Sequence, residues 1–120
     1  MDNQKNIVIT RQQDICGYYW YFSQFLAQFA ANADVDIFDD EYIVKRSYVA
    51  CERDYQEYLK VKFQANEILE MDPFPHDAIE NSADRNLIQD ATSEEEKVKK
   101  VKEWLHKVLD LLEKRVTGKL

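Results

Sequence analysis

Glycine and proline are scarce in this 120-residue sequence: Gly17, Gly118, Pro73 and Pro75 are the only four. Sheet-rich folds place such residues at their turns, and phosphate-cradling loops need several glycines close together. Both are excluded. Cysteine is equally scarce, and Cys16 and Cys51 are too few and too far apart for a disulfide framework. No apolar run approaches the ~20 residues that span a bilayer, and Met1 to Thr10 lack the charged-then-apolar layout of a signal peptide. Two reduced thiols in a cytoplasmic protein with no membrane association are the expectation.

What is present is enough for one folded domain. Hydrophobic residues make up 45% and aromatics 12% of the chain, which argues against wholesale disorder. The net charge is −7, unevenly spread. Residues 34–72 carry eleven acids against five bases and 73–93 carry four against one, whereas 94–120 carry six against eight. An acidic chain releases no phosphate counterions, so direct nucleic-acid binding is not expected. A partner with a basic surface is compatible with this charge.

Hydrophobic spacing predicts an all-α fold: a small antiparallel bundle of three long helices over about 11–32, 40–71 and 94–117. Residues 72–93 read as weakly structured, with room for a fourth short helix capped by Asp77. In the first helix Thr10 and Gln13 have capping-box spacing. Ile15, Tyr18, Phe22, Phe25, Leu26 and Phe29 then form one apolar face. Trp20 lies nearly opposite Phe22, beside Cys16, Ala27 and Ala31. A helix with two such sides is either central in the domain or meets another chain, and core is the commoner fate of a tryptophan. Val8 and Ile9 could form only a lone strand.

The second helix is bounded by Asp39 or Asp40 and by the Asp72-Pro73-Phe74-Pro75 segment. Val44, Cys51, Tyr58 and Ala65 recur by sevens, as do Tyr48, Tyr55, Lys62 and Leu69. Such a repeat favours slight supercoiling against a neighbour. The third helix opens on Ser93 and Glu96 as a capping box, carries Val98, Val101, Trp104, Leu105, Val108, Leu111 and Leu112 as its stripe, and stops at Gly118. Glu95–Lys99, Glu96–Lys100, Glu103–Lys107 and Asp110–Lys114 have the favourable i,i+4 order.

No constellation carries chemistry. His76 belongs to turn composition, and a pairing with Cys16 has no motif behind it. Glu103 and His106 have the Glu-x-x-His spacing of di-iron bundles, but no second such pair exists. A calcium loop starting at Asp34 would need glycine at its sixth position and glutamate at its twelfth, where Asp39 and Lys45 stand. Lys97, Lys99, Lys100 and Lys102 alternate with glutamates as on a solvated helix face. No catalytic residue, metal or cofactor is expected.

The sequence therefore favours a non-enzymatic acidic helical protein that works by protein–protein interaction. An accessory or inhibitor protein docking on a basic surface, such as that of a nucleic-acid enzyme, fits it best. Trp20, Asp34, Asp36, Asp39, Asp40 and Glu41 are the contact candidates. A second reading is a ligand-binding or enzymatic bundle with a pocket lined by Trp20, Tyr48, Tyr55 and Tyr58. A third is a homo-oligomeric structural subunit that assembles through its long helix.

Overall fold

The structure, a computed structural model, describes residues 12–36, 39–47 and 52–119. Among the described residues the fold is all-helical, with six helices rather than three long ones and an irregular segment. They are α1 (Gln12–Tyr18), α2 (Trp20–Ala30), α3 (Asp40–Ser47), α4 (Glu52–Leu69), α5 (His76–Ala83) and α6 (Glu94–Val116). The Thr10 cap, Val8 and Ile9, Tyr48 and Cys51 lie outside the described residues.

The first predicted helix is two helices. Tyr19 leaves helical geometry, at φ −134° and ψ 62°, and Gly17 just before it lowers the local helix propensity. The break rotates the register. Tyr19 turns inward to 5% exposure while Tyr18, predicted on the apolar face, is 59% exposed. Ile15, Phe22, Phe25, Leu26 and Phe29 are buried as their spacing requires. The core therefore takes the tyrosine that the kink selects.

Helices α3 and α4 are the described parts of the span read as one helix, and residues 48–51 between them lie outside the described residues. Of the two seven-residue series, Val44, Tyr58 and Ala65 are buried, whereas Tyr55 and Lys62 are exposed and Leu69 is half-buried. Ile43, Val61 and Ile68 complete the inward faces of these helices. The α2–α4 packing carries polar contacts at its edge: the Phe22 amide donates to Gln64 Oε1 at 2.9 Å, and the Tyr19 hydroxyl donates to Glu67 Oε1 at 3.3 Å.

The segment read as weakly structured holds a core element. Helix α5 buries His76, Ala78, Ile79, Ser82 and Ala83 and packs against α1, α2 and α6. Its polar letters obscure this because Ser82 faces inward and Asn81 outward. Asp77 lies in the first turn without capping it through its side chain. At the far end Asp84 takes the left-handed conformation at φ 53°, a geometry that aspartate tolerates better than most residues.

Helix α6 matches its sequence signals closely. Ser93 Oγ accepts from the Glu96 amide at 3.2 Å. The return arm of the cap goes one residue further back than expected, since Glu96 Oε1 accepts from Thr92 N at 2.7 Å and Thr92 Oγ1 at 2.8 Å. These bonds, the backbone one foremost, hold the Glu96 carboxyl below its ordinary pKa. Gly118, at φ 77°, ends the helix. Lys119 N bonds Lys114 O at 2.7 Å and Gly118 N bonds Arg115 O at 3.3 Å, the paired pattern of a Schellman stop. Of the i,i+4 pairs, Asp110–Lys114 closes at 3.2 Å. Lys107 instead reaches Asp40 on α3.

Candidate interaction surface

The acidic turn between α2 and α3 is held from within. Asp40 opens α3, where the helix N-terminus favours a negative charge, yet its side chain is only 1% exposed. Oδ1 accepts from Arg85 Nη2 at 2.8 Å, and Oδ2 accepts from the Trp104 indole Nε1 at 2.6 Å. Lys107 Nζ stands 3.2 Å from that same oxygen. Arg85 enters from the exit of α5 and is itself 5% exposed. Its Nη1 donates to the Val35 carbonyl at 2.5 Å. Its guanidinium lies 5.8 Å above the Phe29 ring, and Phe29 meets Trp104 edge-on at 5.0 Å.

This cluster joins five parts of the chain: the end of α2, the following turn, α3, the exit of α5, and α6. A desolvated ion pair gains little over apolar packing, but an unpaired buried charge is strongly destabilising. The geometry is therefore specifying. Only a chain path that brings Asp40, Arg85 and Trp104 together satisfies all three.

The contact candidates divide accordingly. Asp40 is corrected from a surface contact to an interior anchor, because its carboxylate is consumed by Arg85, Trp104 and Lys107. Asp34, Asp36, Asp39 and Glu41 are exposed around it. Their backbone is turned by bonds from Val35 N to Asn32 O at 2.9 Å and from Asp39 N to Asp36 O at 2.8 Å. With Arg85 holding the Val35 carbonyl, the turn presents its acids from a fixed base.

Trp20 does not join that group. It stands at the first residue of α2 and the acidic turn follows the last, which for 11 residues is a separation of ~16 Å at 1.5 Å per residue. It is 53% exposed, so the favoured expectation of a core tryptophan is overturned. Its ring meets Tyr21 edge-on at 5.1 Å.

The predicted aromatic pocket is not assembled from its described members. Tyr58 is buried, Tyr55 and Trp20 are exposed, and Tyr48 lies outside the described residues. Burial, foremost, raises the pKa of the Tyr58 phenol, as it does that of Tyr19, where the Glu67 carboxylate adds to it. A cleft of about 540 Å³ opens elsewhere, between the end of α4 and the start of α6, lined by Leu69, Met71, Phe74, Glu94, Val98 and Lys102 among others.

His76 sits near this junction, buried, with Nε2 hydrogen-bonded to the Glu94 carboxylate. That bond, above all, lowers the pKa of Glu94. Nδ1 lies 3.1 Å from Asp77 Oδ1 without forming a hydrogen bond. Both ring nitrogens face carboxylates, and Cys16 is exposed on α1, so the pairing of His76 with Cys16 is not formed. Among the described residues, no group of three or more His, Cys, Asp or Glu side chains is disposed to hold a metal. No described helix is long and apolar enough to cross a membrane.

Two features escaped the sequence reading. Arg85 is the single base among the four acids of residues 73–93, and that isolation was the available signal for a buried partner. Leu59 and Phe63 are exposed at 43% and 66%, and their i,i+4 spacing on the side of α4 away from the core was the corresponding signal there. Comparison with protein families, characterised proteins and solved structures finds no match for this chain.

Proposed function

We propose that the protein is a non-enzymatic interaction protein whose acidic end docks on a basic surface of a protein partner, in the manner of an accessory or inhibitor subunit. The observation that supports this most is the anchoring of the acidic turn. Arg85 bonds the Val35 carbonyl and Asp40 from the interior, while Asp34, Asp36, Asp39 and Glu41 remain outside. An anchored acidic surface loses less conformational freedom on binding than a loose one, and its charge steers a basic partner toward it. The overall charge of −7 acts in the same direction.

The test is affinity capture from the native host with wild-type protein and with Asp34→Asn/Asp36→Asn/Asp39→Asn/Glu41→Gln, each at low and moderate salt. The proposal expects basic proteins enriched by the wild type and lost both with salt and with the variant. Capture of the same proteins by both forms at both salt concentrations would remove the acidic end from the function.

A further inference from the structure

The cleft between the end of α4 and the start of α6 is a second site, separate from the acidic end. Glu94 at its edge precedes the anchor residue Trp104 by ten residues of α6, or ~15 Å at 1.5 Å per residue. The cleft's volume of about 540 Å³ lies within the ~300–1,000 Å³ of small-molecule sites. Its apolar lining is Leu69, Met71, Phe74 and Val98. Phe74 is 6% exposed, and the other three pack half-buried against the core, so the lining has a packed backing.

Charge decides what this lining can hold. Glu70, Asp72 and Glu94 border the cleft and are exposed, and Lys102 is the one base that lines it. Lys97 also acts on Glu94, and with it counted the acids still outnumber the bases. The surroundings keep the same sign: residues 69–80 carry four acids and no lysine or arginine, and 94–103 carry four of each. A helix start such as that of α6 attracts anions when its amides are free. Here Ser93 Oγ takes the Glu96 amide, and three glutamates occupy the first turn. An anionic ligand is therefore disfavoured and a cationic one favoured.

The aromatic wall already holds such a group. Lys102 Nζ lies 5.1 Å from the centroid of the Phe74 ring, the contact by which aromatic faces hold cations. Glu94, hydrogen-bonded to His76 Nε2, is tied to the buried side of the same junction while its side chain stays 73% exposed.

We propose that this cleft binds a small amphiphilic cation, an amine whose apolar body lies on Leu69, Met71, Phe74 and Val98 and whose ammonium stands at the border formed by Glu70, Asp72 and Glu94. The apolar body supplies most of the binding, and the carboxylates select the sign of the head group. A second copy of the chain is disfavoured as occupant, because cleft against cleft would set acids against acids. The site does not depend on the acidic end, so either can fail its test without the other.

The test is an NMR titration of the full chain with phenylbutylamine, phenylbutanol and phenylbutyrate, which share an apolar body and differ in head-group charge. Saturable shifts at Met71, Phe74 and Val98 are expected with the amine, weaker ones with the alcohol and the weakest with the carboxylate. Glu70→Gln/Asp72→Asn should weaken the amine about fivefold, and both side chains are exposed, so the rest of the spectrum should stay as in the wild type. Lys102→Gln frees the Phe74 ring and removes a competing charge, and should tighten amine binding about threefold; a misfolded variant does not gain affinity. Three results would overturn the proposal: no saturable shift at the cleft with the amine, equal binding of amine and carboxylate, or cleft shifts that follow protein concentration alone, the mark of pairing between copies.

Discussion

Replacing Asp40 by alanine removes the acceptor that Arg85, Trp104 and Lys107 share. The Arg85 side chain, 4% exposed, is then left with its Val35 bond and a buried positive charge without its counter-ion. Nε of that guanidinium already lacks a partner, so no spare hydrogen bonding compensates. Breaking a buried pair from one side costs about 3–5 kcal/mol, a large part of the ~5–15 kcal/mol that holds a typical domain folded. Urea unfolding followed by circular dichroism measures the loss. Removing both charges tells a different story. Asp40→Leu/Arg85→Met takes away the stranded cation along with the anion, so most of the stability should return. An Asp40→Ala cost below about 1 kcal/mol, the size of an ordinary substitution, would show that the buried pair does not hold these helices together. So would a loss that is undiminished when Arg85 is already methionine.

Three further outcomes follow from local geometry. The Glu96 carboxyl has a folded pKa below its ordinary 4.5, owing first to the Thr92 amide and then to the Thr92 hydroxyl. Its contribution is fully present above that ordinary value and is lost as pH falls through the lower folded value. Thermal unfolding of Glu96→Gln should thus differ from wild type at pH 6 and converge toward it below pH 4, and a constant difference would contradict this. Tyr19 and Tyr58 have phenols raised above 10.0, chiefly by burial, which stabilises the fold below pH 10 and ceases to do so as pH rises through the folded values. Ultraviolet titration should show a late-ionising fraction that Tyr19→Phe reduces. Gly118→Ala places a side chain at φ 77° and should cost about 1–2 kcal/mol by urea unfolding, and an unchanged midpoint would contradict this.

Helix α6 was legible because its signals agree: a cap at Ser93, an apolar stripe and a glycine stop. Helix α5 was not, because its buried face includes His76 and Ser82 and its periodicity is short. The Tyr19 break was hidden for another reason. Tyr18, Tyr19 and Tyr21 are chemically alike, so composition does not reveal which of them turns inward when the register shifts. The acidic turn was visible as charge, but sequence places Asp40 among five similar acids. Only the arrival of Arg85 and Trp104, 45 and 64 residues away, separates the buried carboxylate from its exposed neighbours. Trp20 shows the converse. A tryptophan at a helical position is usually core, and here the kink before it turns it to solvent.

In the proposed function the four exposed acids around the anchored turn, Asp34, Asp36, Asp39 and Glu41, recognise a basic partner. Quantitative affinity capture with wild type and with Asp34→Asn/Asp36→Asn/Asp39→Asn/Glu41→Gln tests it most directly, once matched unfolding curves show both to be folded. Basic proteins should be retained by the wild type at low salt, released as salt rises, and reduced at least tenfold with the variant. Equal retention of the same proteins by both forms would contradict it.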